Sequence, residues 1–180
     1  MKWMCKTRSW KTAVSLTGWL SAVLLITACR SQSPMLSAPV TGYNHTSAAI
    51  NRFSVNGAGG PNLGPHQGGG SEVCCGVVPR YWVPGLRAVV EWEKDPDPYS
   101  SSKWEERPYS DAWTKRMKAQ KQEYSRHKAI VEIPQYESPG DLKVHFLPCD
   151  QVRVTAAGTS PGYPGYPYNY PMEMEEPEVC

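Results

Sequence analysis

Cysteine carries the most legible chemistry in this chain, which holds six of them at positions 5, 29, 74, 75, 149 and 180. Cys29 closes the run Ile26-Thr27-Ala28-Cys29 at the end of an apolar stretch, where a thiol is an acceptor for acyl chains. With Cys5 in the leader, that leaves Cys74, Cys75, Cys149 and Cys180, and four thiols allow three disulfide pairings. A Cys74–Cys75 bridge would strain the peptide between them. A bridge from Cys74 or Cys75 to Cys149 would instead tie the middle of the domain to its last strands. It would contribute about 4–5 kcal/mol in the chain-entropy model. Cys180 is left free or paired elsewhere. Adjacent cysteines lack the two-residue spacing of zinc ligands and no histidine lies at a matching interval, so no metal is expected.

Other reactive residue types are present without a recognisable arrangement. His45, His66, His127 and His145 are scattered singly, and His145 alternates with Val144 and Phe146 as a strand residue facing water or a partner would. Glu91, Glu93, Glu105 and Glu106 read as solvated carboxylates. The glycine-rich run from Gly57 to Gly70 has neither dinucleotide-fingerprint spacing nor a P-loop ending, and reads as an irregular surface loop. Ser71 lacks the elbow of a hydrolase nucleophile. No enzyme activity, cofactor or small-molecule substrate is expected. The aromatics point elsewhere: Trp82, Trp104 and Trp113 lie outside the strand-like runs, and Trp and Tyr supply most strong anchors of protein interfaces. Each remains open to a core or a partner-binding reading.

The compartment follows from the first 28 residues, which carry Lys2, Lys6, Arg8 and Lys11, no acidic residue, and an apolar run from Ala13 to Ile26. This is the layout of a secretory signal peptide, and the apolar part is short for a membrane span. Ile26 to Cys29 resembles the bacterial lipobox, whose cysteine is acylated and becomes the first residue of the mature protein. The full chain has 19 basic and 17 acidic side chains; without the four leader cations, 15 basic residues face 17 acidic ones, a formal net charge of −2. The pI of about 8.2 therefore describes the precursor and is no argument for nucleic acid. Arg30 after the cysteine favours the outer over the inner membrane.

Four segments are expected: a signal peptide over 1–28, a lipid-anchored tether over 29–37, a globular domain over 38–156, and a flexible Pro/Tyr-rich acidic tail over 157–180. Within the domain, strand-like runs lie at 40–46, 50–55, 73–78, 86–92, 129–133, 142–147 and 152–155. Ser110 is placed to cap one helix carrying Asp111 in its first turn and Trp113, Met117 and Tyr124 on one face. About seven short strands with one main helix predict a β-rich α+β domain.

Several stretches resemble one bacterial lipoprotein family, the domain of unknown function numbered 3304. They are Gly42-Tyr-Asn-His-Thr46, Phe53-Ser-Val-Asn-Gly57, Gly68-Gly-Gly-Ser-Glu-Val-Cys-Cys75, Pro79-Arg-Tyr-Trp-Val-Pro-Gly85, Val89-Val-Glu-Trp92 and Ser138-Pro-Gly-Asp-Leu-Lys-Val-His-Phe-Leu-Pro148. The likeness covers about residues 38–155 and brings no catalytic residues. It implies a context, since such lipoproteins are often encoded near type VI secretion genes that include phospholipase effectors. The expected function is a lipid-anchored periplasmic immunity protein that binds a secreted lipase, with the membrane met only through its lipid. The alternative expectation is an accessory lipoprotein of the envelope or secretion apparatus.

Overall fold

The computed structural model describes residues 33–180. The leader, Cys29 and residues 30–32 of the tether lie outside the described residues. Eight strands form two four-stranded sheets: β1 (Met35–Asn44), β2 (Ala49–Val55), β3 (Ala58–Gly59), β4 (Gln67–Pro79), β5 (Arg87–Asp95), β6 (Ser125–Glu132), β7 (Pro139–Leu147) and β8 (Gln151–Ala157). The first sheet has the order β4-β1-β7-β8 and the second β3-β2-β5-β6. All neighbours are antiparallel except β1 and β7.

Strand alternation builds the core, because successive side chains point to opposite faces. Val40, Leu142, Val144, Phe146, Val152 and Val154 of the first sheet meet Ile50, Phe53, Val55, Val90 and Trp92 of the second. Phe146 is the hinge of this contact, packing edge-on against Phe53 at 5.1 Å and tilted against Trp92 at 5.8 Å between ring centres. Gly42 is needed opposite this cluster, since a Cβ there would come within 2.6 Å of Leu63 Cδ1. Asn44, fully buried, builds the corner between β1 and β2. Its amide donates to the carbonyls of Ala48 and Gly64 at 2.7 and 2.8 Å, and its oxygen accepts from Thr46.

Three expectations are corrected here. The domain is a β-sandwich rather than an α+β fold: its helix α1 (Asp111–Gln120) is capped by Ser110 as expected, yet none of its residues is buried. The strands number eight, not seven, because the glycine run contributes β3 and Gly68 to Gly70 extend β4. β1 also begins at Met35, inside the span assigned to the tether.

A fourth correction concerns the tail. Residues 158–180 form no regular element but cross the outer face of the first sheet as a strap. Tyr166, Tyr168, Tyr170 and Met174 are half-buried while most residues between them are exposed. The Met174 amide donates to the His45 carbonyl at 3.1 Å, the Tyr168 hydroxyl to the Val154 carbonyl at 3.2 Å, and Ser47 to Glu176 at 3.3 Å. A disulfide joins Cys180 to Cys149, with Cα atoms 5.3 Å apart. Cys149 and Asp150 take positive φ at the β7–β8 hairpin, which turns the thiol toward the strap's end. The strap thus holds its order through aromatic contacts and a covalent closure, neither of which periodicity registers.

Cutting that closure should loosen the third layer. Its 31-residue separation corresponds to roughly 3–4 kcal/mol of chain entropy. Cys180→Ser is expected to lose up to that amount in urea denaturation and to become cleavable by chymotrypsin between Tyr163 and Tyr170. An unchanged midpoint with a protected tail would contradict this.

Candidate functional site

The titratable residues that the fold concentrates are ones the sequence shows only singly. β1 and β7 run parallel with Tyr43 opposite His145, and His45 extends β1 by donating its amide to the Phe146 carbonyl at 2.9 Å. Tyr43, His45 and His145 therefore share the outer face of the first sheet. The His145 ring stacks on Tyr43 at 4.8 Å and on His45 at 5.2 Å. Tyr166, Tyr168 and Tyr170 of the strap close over it at 5.5 to 5.8 Å. Both imidazoles are buried, His45 at 2% and His145 at 1% exposure.

Their hydrogen bonds fix one proton arrangement. The Pro171 carbonyl can only accept, so His45 Nδ1 donates to it at 2.7 Å. In the neutral ring His45 Nε2 is then an acceptor, and His145 Nδ1 donates to it at 2.9 Å. His145 Nε2 is left to accept, and the Tyr166 hydroxyl donates to it at 2.5 Å. The result is a chain from Tyr166 through His145 and His45 to Pro171, with every ring nitrogen engaged and both ends on the strap.

Electrostatics support the neutral state. Burial, reinforced by His45 and Lys143, pushes His145 down to about 3, and burial also lowers His45. Burial raises the Tyr166 hydroxyl, and pushes Tyr168 up to about 12. Lys143 lies on the same face at 4% exposure, donates to the Ala157 carbonyl at 2.9 Å and has its ammonium pKa lowered by burial. The arrangement can pass a proton between its members, but its rings are covered. Its evident work is to pin the strap to the sheet.

The predicted site residues distribute differently. Trp104 and Trp113 come together, their rings edge-to-face at 6.1 Å, in the excursion of residues 96–124 between β5 and β6. The Arg116 guanidinium sits 4.9 Å from the Trp104 ring centre and also bonds both carboxylate oxygens of Glu106. Tyr109, 87% exposed, leans on Trp113 at 5.2 Å. Trp82 is not part of this group: its Nε1 donates to the Ile133 carbonyl at 2.9 Å and its ring packs against the core. Glu91 and Glu93 belong to cross-strand ion pairs with Lys128, Arg52 and Arg126 on the second sheet.

The disulfide expectation is corrected as well. Cys149 pairs with Cys180, and Cys74 pairs with its neighbour Cys75 in β4. In the order β4-β1-β7-β8 a cysteine of β4 lies two strand spacings, roughly 10 Å, from β7, beyond the reach of a disulfide. Among the described residues no group of three or more His, Cys, Asp or Glu side chains is placed to hold a metal ion. Cys29 lies outside the described residues. Sequence reasoning missed the His45–His145–Tyr166 chain, whose one visible signal was the two-residue spacing of Tyr166, Tyr168 and Tyr170.

Acid should weaken this layer. Between pH 6.5 and about 3 the unfolded chain binds a proton at His145 that the folded domain refuses. Folding stability therefore falls as pH drops through that window, by about 1.4 kcal/mol per pH unit for each such histidine. His145→Phe should be less stable at pH 7 but lose less between pH 6.5 and 5. Equal slopes in urea denaturation would contradict the assignment.

Comparison with known proteins adds one finding. No curated protein and no solved structure matches the chain. Residues 43–154, more than half of the chain, match a family described as protein of unknown function (DUF3304). The matched span contains both histidines, both tryptophans of the excursion and Cys149, and ends before the strap. The chain belongs to this family.

Proposed function

We propose that this chain is a lipid-anchored protein of the bacterial envelope that faces the periplasm and binds and neutralises a type VI secretion effector, a phospholipase. The observation that carries the binding role is the excursion between β5 and β6. None of residues 96–124 is buried, yet the segment holds Trp104, Tyr109, Trp113 and Met117 together with Arg116. Trp, Tyr and Arg are the residue types that dominate binding energy when a partner covers them. A cap at Ser110, the Arg116–Glu106 pair and the Trp104–Trp113 contact hold these side chains in place before any partner arrives.

The effector and the compartment rest on other grounds. The leader and the Ile26–Cys29 motif support export and lipidation at Cys29, and Arg30 supports the outer membrane. The neighbourhood of type VI secretion genes, typical of the family the chain resembles, supports a lipase effector. The histidine chain enters this reading as structure, because its nitrogens are engaged and its rings sealed.

Co-purification of the chain with the effector encoded beside it, and protection of cells exporting that effector, test the proposal. Trp113→Ala is expected to weaken the complex by about 2 kcal/mol or more, roughly 30-fold, while leaving the urea midpoint nearly unchanged. Absence of both binding and protection would overturn the proposal. Capture of secretion-apparatus subunits irrespective of effector would replace it with an accessory role in the envelope.

A further inference from the structure

We propose that the corner of the sandwich where β1 begins and β4 ends is a lipid-contacting surface, seated on the bilayer that holds the Cys29 anchor. The proposal rests on lipidation of Cys29 as set out above. Its own basis is a patch of exposed apolar side chains gathered around the point where the chain enters the domain.

Met35 and Val77 are each 55% exposed, Tyr81 62% and Val83 43%. The register pairs Met35 with Pro79 and Ser37 with Val77, which puts Met35 and Val77 on one face of the β1–β4 ribbon. Tyr81 and Arg80 are tied to the same corner, the Tyr81 amide donating to Ser33 Oγ at 2.9 Å and the Arg80 amide to the Pro34 carbonyl at 2.7 Å. The Arg80 guanidinium lies 5.8 Å from the Tyr81 ring centre. Exposed apolar side chains rimmed by a tyrosine and an arginine fit the boundary between acyl chains and headgroups, where aromatic rings and long cations rest with their polar ends in water.

Chain length makes this surface the one that meets lipid. Only Arg30, Ser31 and Gln32 separate Cys29 from Ser33, so four residue steps, at most roughly 14 Å, separate the acylated residue from the Tyr81 contact. The nine residues of β5 then carry the fold away from the corner. β5 begins just after the Arg80–Leu86 loop and ends at Asp95, where the aromatic excursion starts. Its length is roughly 27 Å. An anchor at one end therefore leaves Trp104 and Trp113 at the other, clear of the membrane.

The test uses the full chain expressed in bacteria with the photoreactive residue p-benzoylphenylalanine placed at position 35, 77, 81 or 109. Irradiation is followed by mass spectrometry of the adducts and by palmitate labelling with Cys29→Ser as the control. Positions 35, 77 and 81 should give several-fold more phospholipid adducts than position 109, which is more exposed but at the far end. Equal lipid adducts at all four positions, or protein adducts in their place at 35, 77 and 81, overturn the contact while the label shows the anchor intact. Absence of label on the Cys29 form overturns the anchor, and the contact with it.

Discussion

From Leu142 to Leu147 every residue of β7 is buried, although apolar Leu142, Val144 and Phe146 alternate with Lys143 and His145. A strand with that pattern should present its polar half to water. Burial of both faces requires two covers. The second sheet covers the apolar half through Phe53 and Trp92, and the strap covers the polar half through its tyrosines. Burying imidazoles and an ammonium is costly unless each polar atom has a partner. The chain from Tyr166 to Pro171 and the Lys143–Ala157 bond supply those partners. The strap is therefore a third layer of the fold, and Cys149–Cys180 holds its far end.

This constraint also explains which parts of the architecture were legible beforehand. Alternation placed most of the strands, and Ser110 with Asp111 announced the helix, because these signals are local. The parallel pairing of β1 with β7 is not local: nothing in Gly42-Tyr-Asn-His-Thr46 says that it will lie beside Leu142–Phe146 a hundred residues later. That pairing alone brings His45 to His145. The tail misled for the same reason. Its Pro and Gly residues suppress regular structure, whereas its order comes from rings spaced by two residues in an extended chain. The ten-residue helix carrying Trp113 and Met117 was likewise real as a helix but buries none of its residues, since periodicity registers a face without registering what covers it.

The sandwich separates two surfaces along its length. The corner at Ser33 and Tyr81 lies at one end of β5 and the excursion with Trp104 and Trp113 at the other. Between them the ion pairs of Glu91 and Glu93 lace the outer face of the second sheet, each worth little alone, over a core that sets the spacing. On the proposed function, this separation leaves the aromatic end free for a partner while the opposite corner rests on lipid.

The most direct measurement of the central claim, that a neutral histidine pair pins the strap, is nitrogen NMR of the two imidazoles. The structure predicts that both rings are neutral and protonated on Nδ1 at pH 6, with His145 showing no titration above pH 5. Rings protonated on Nε2, or a His145 that titrates near 6.5, would contradict it.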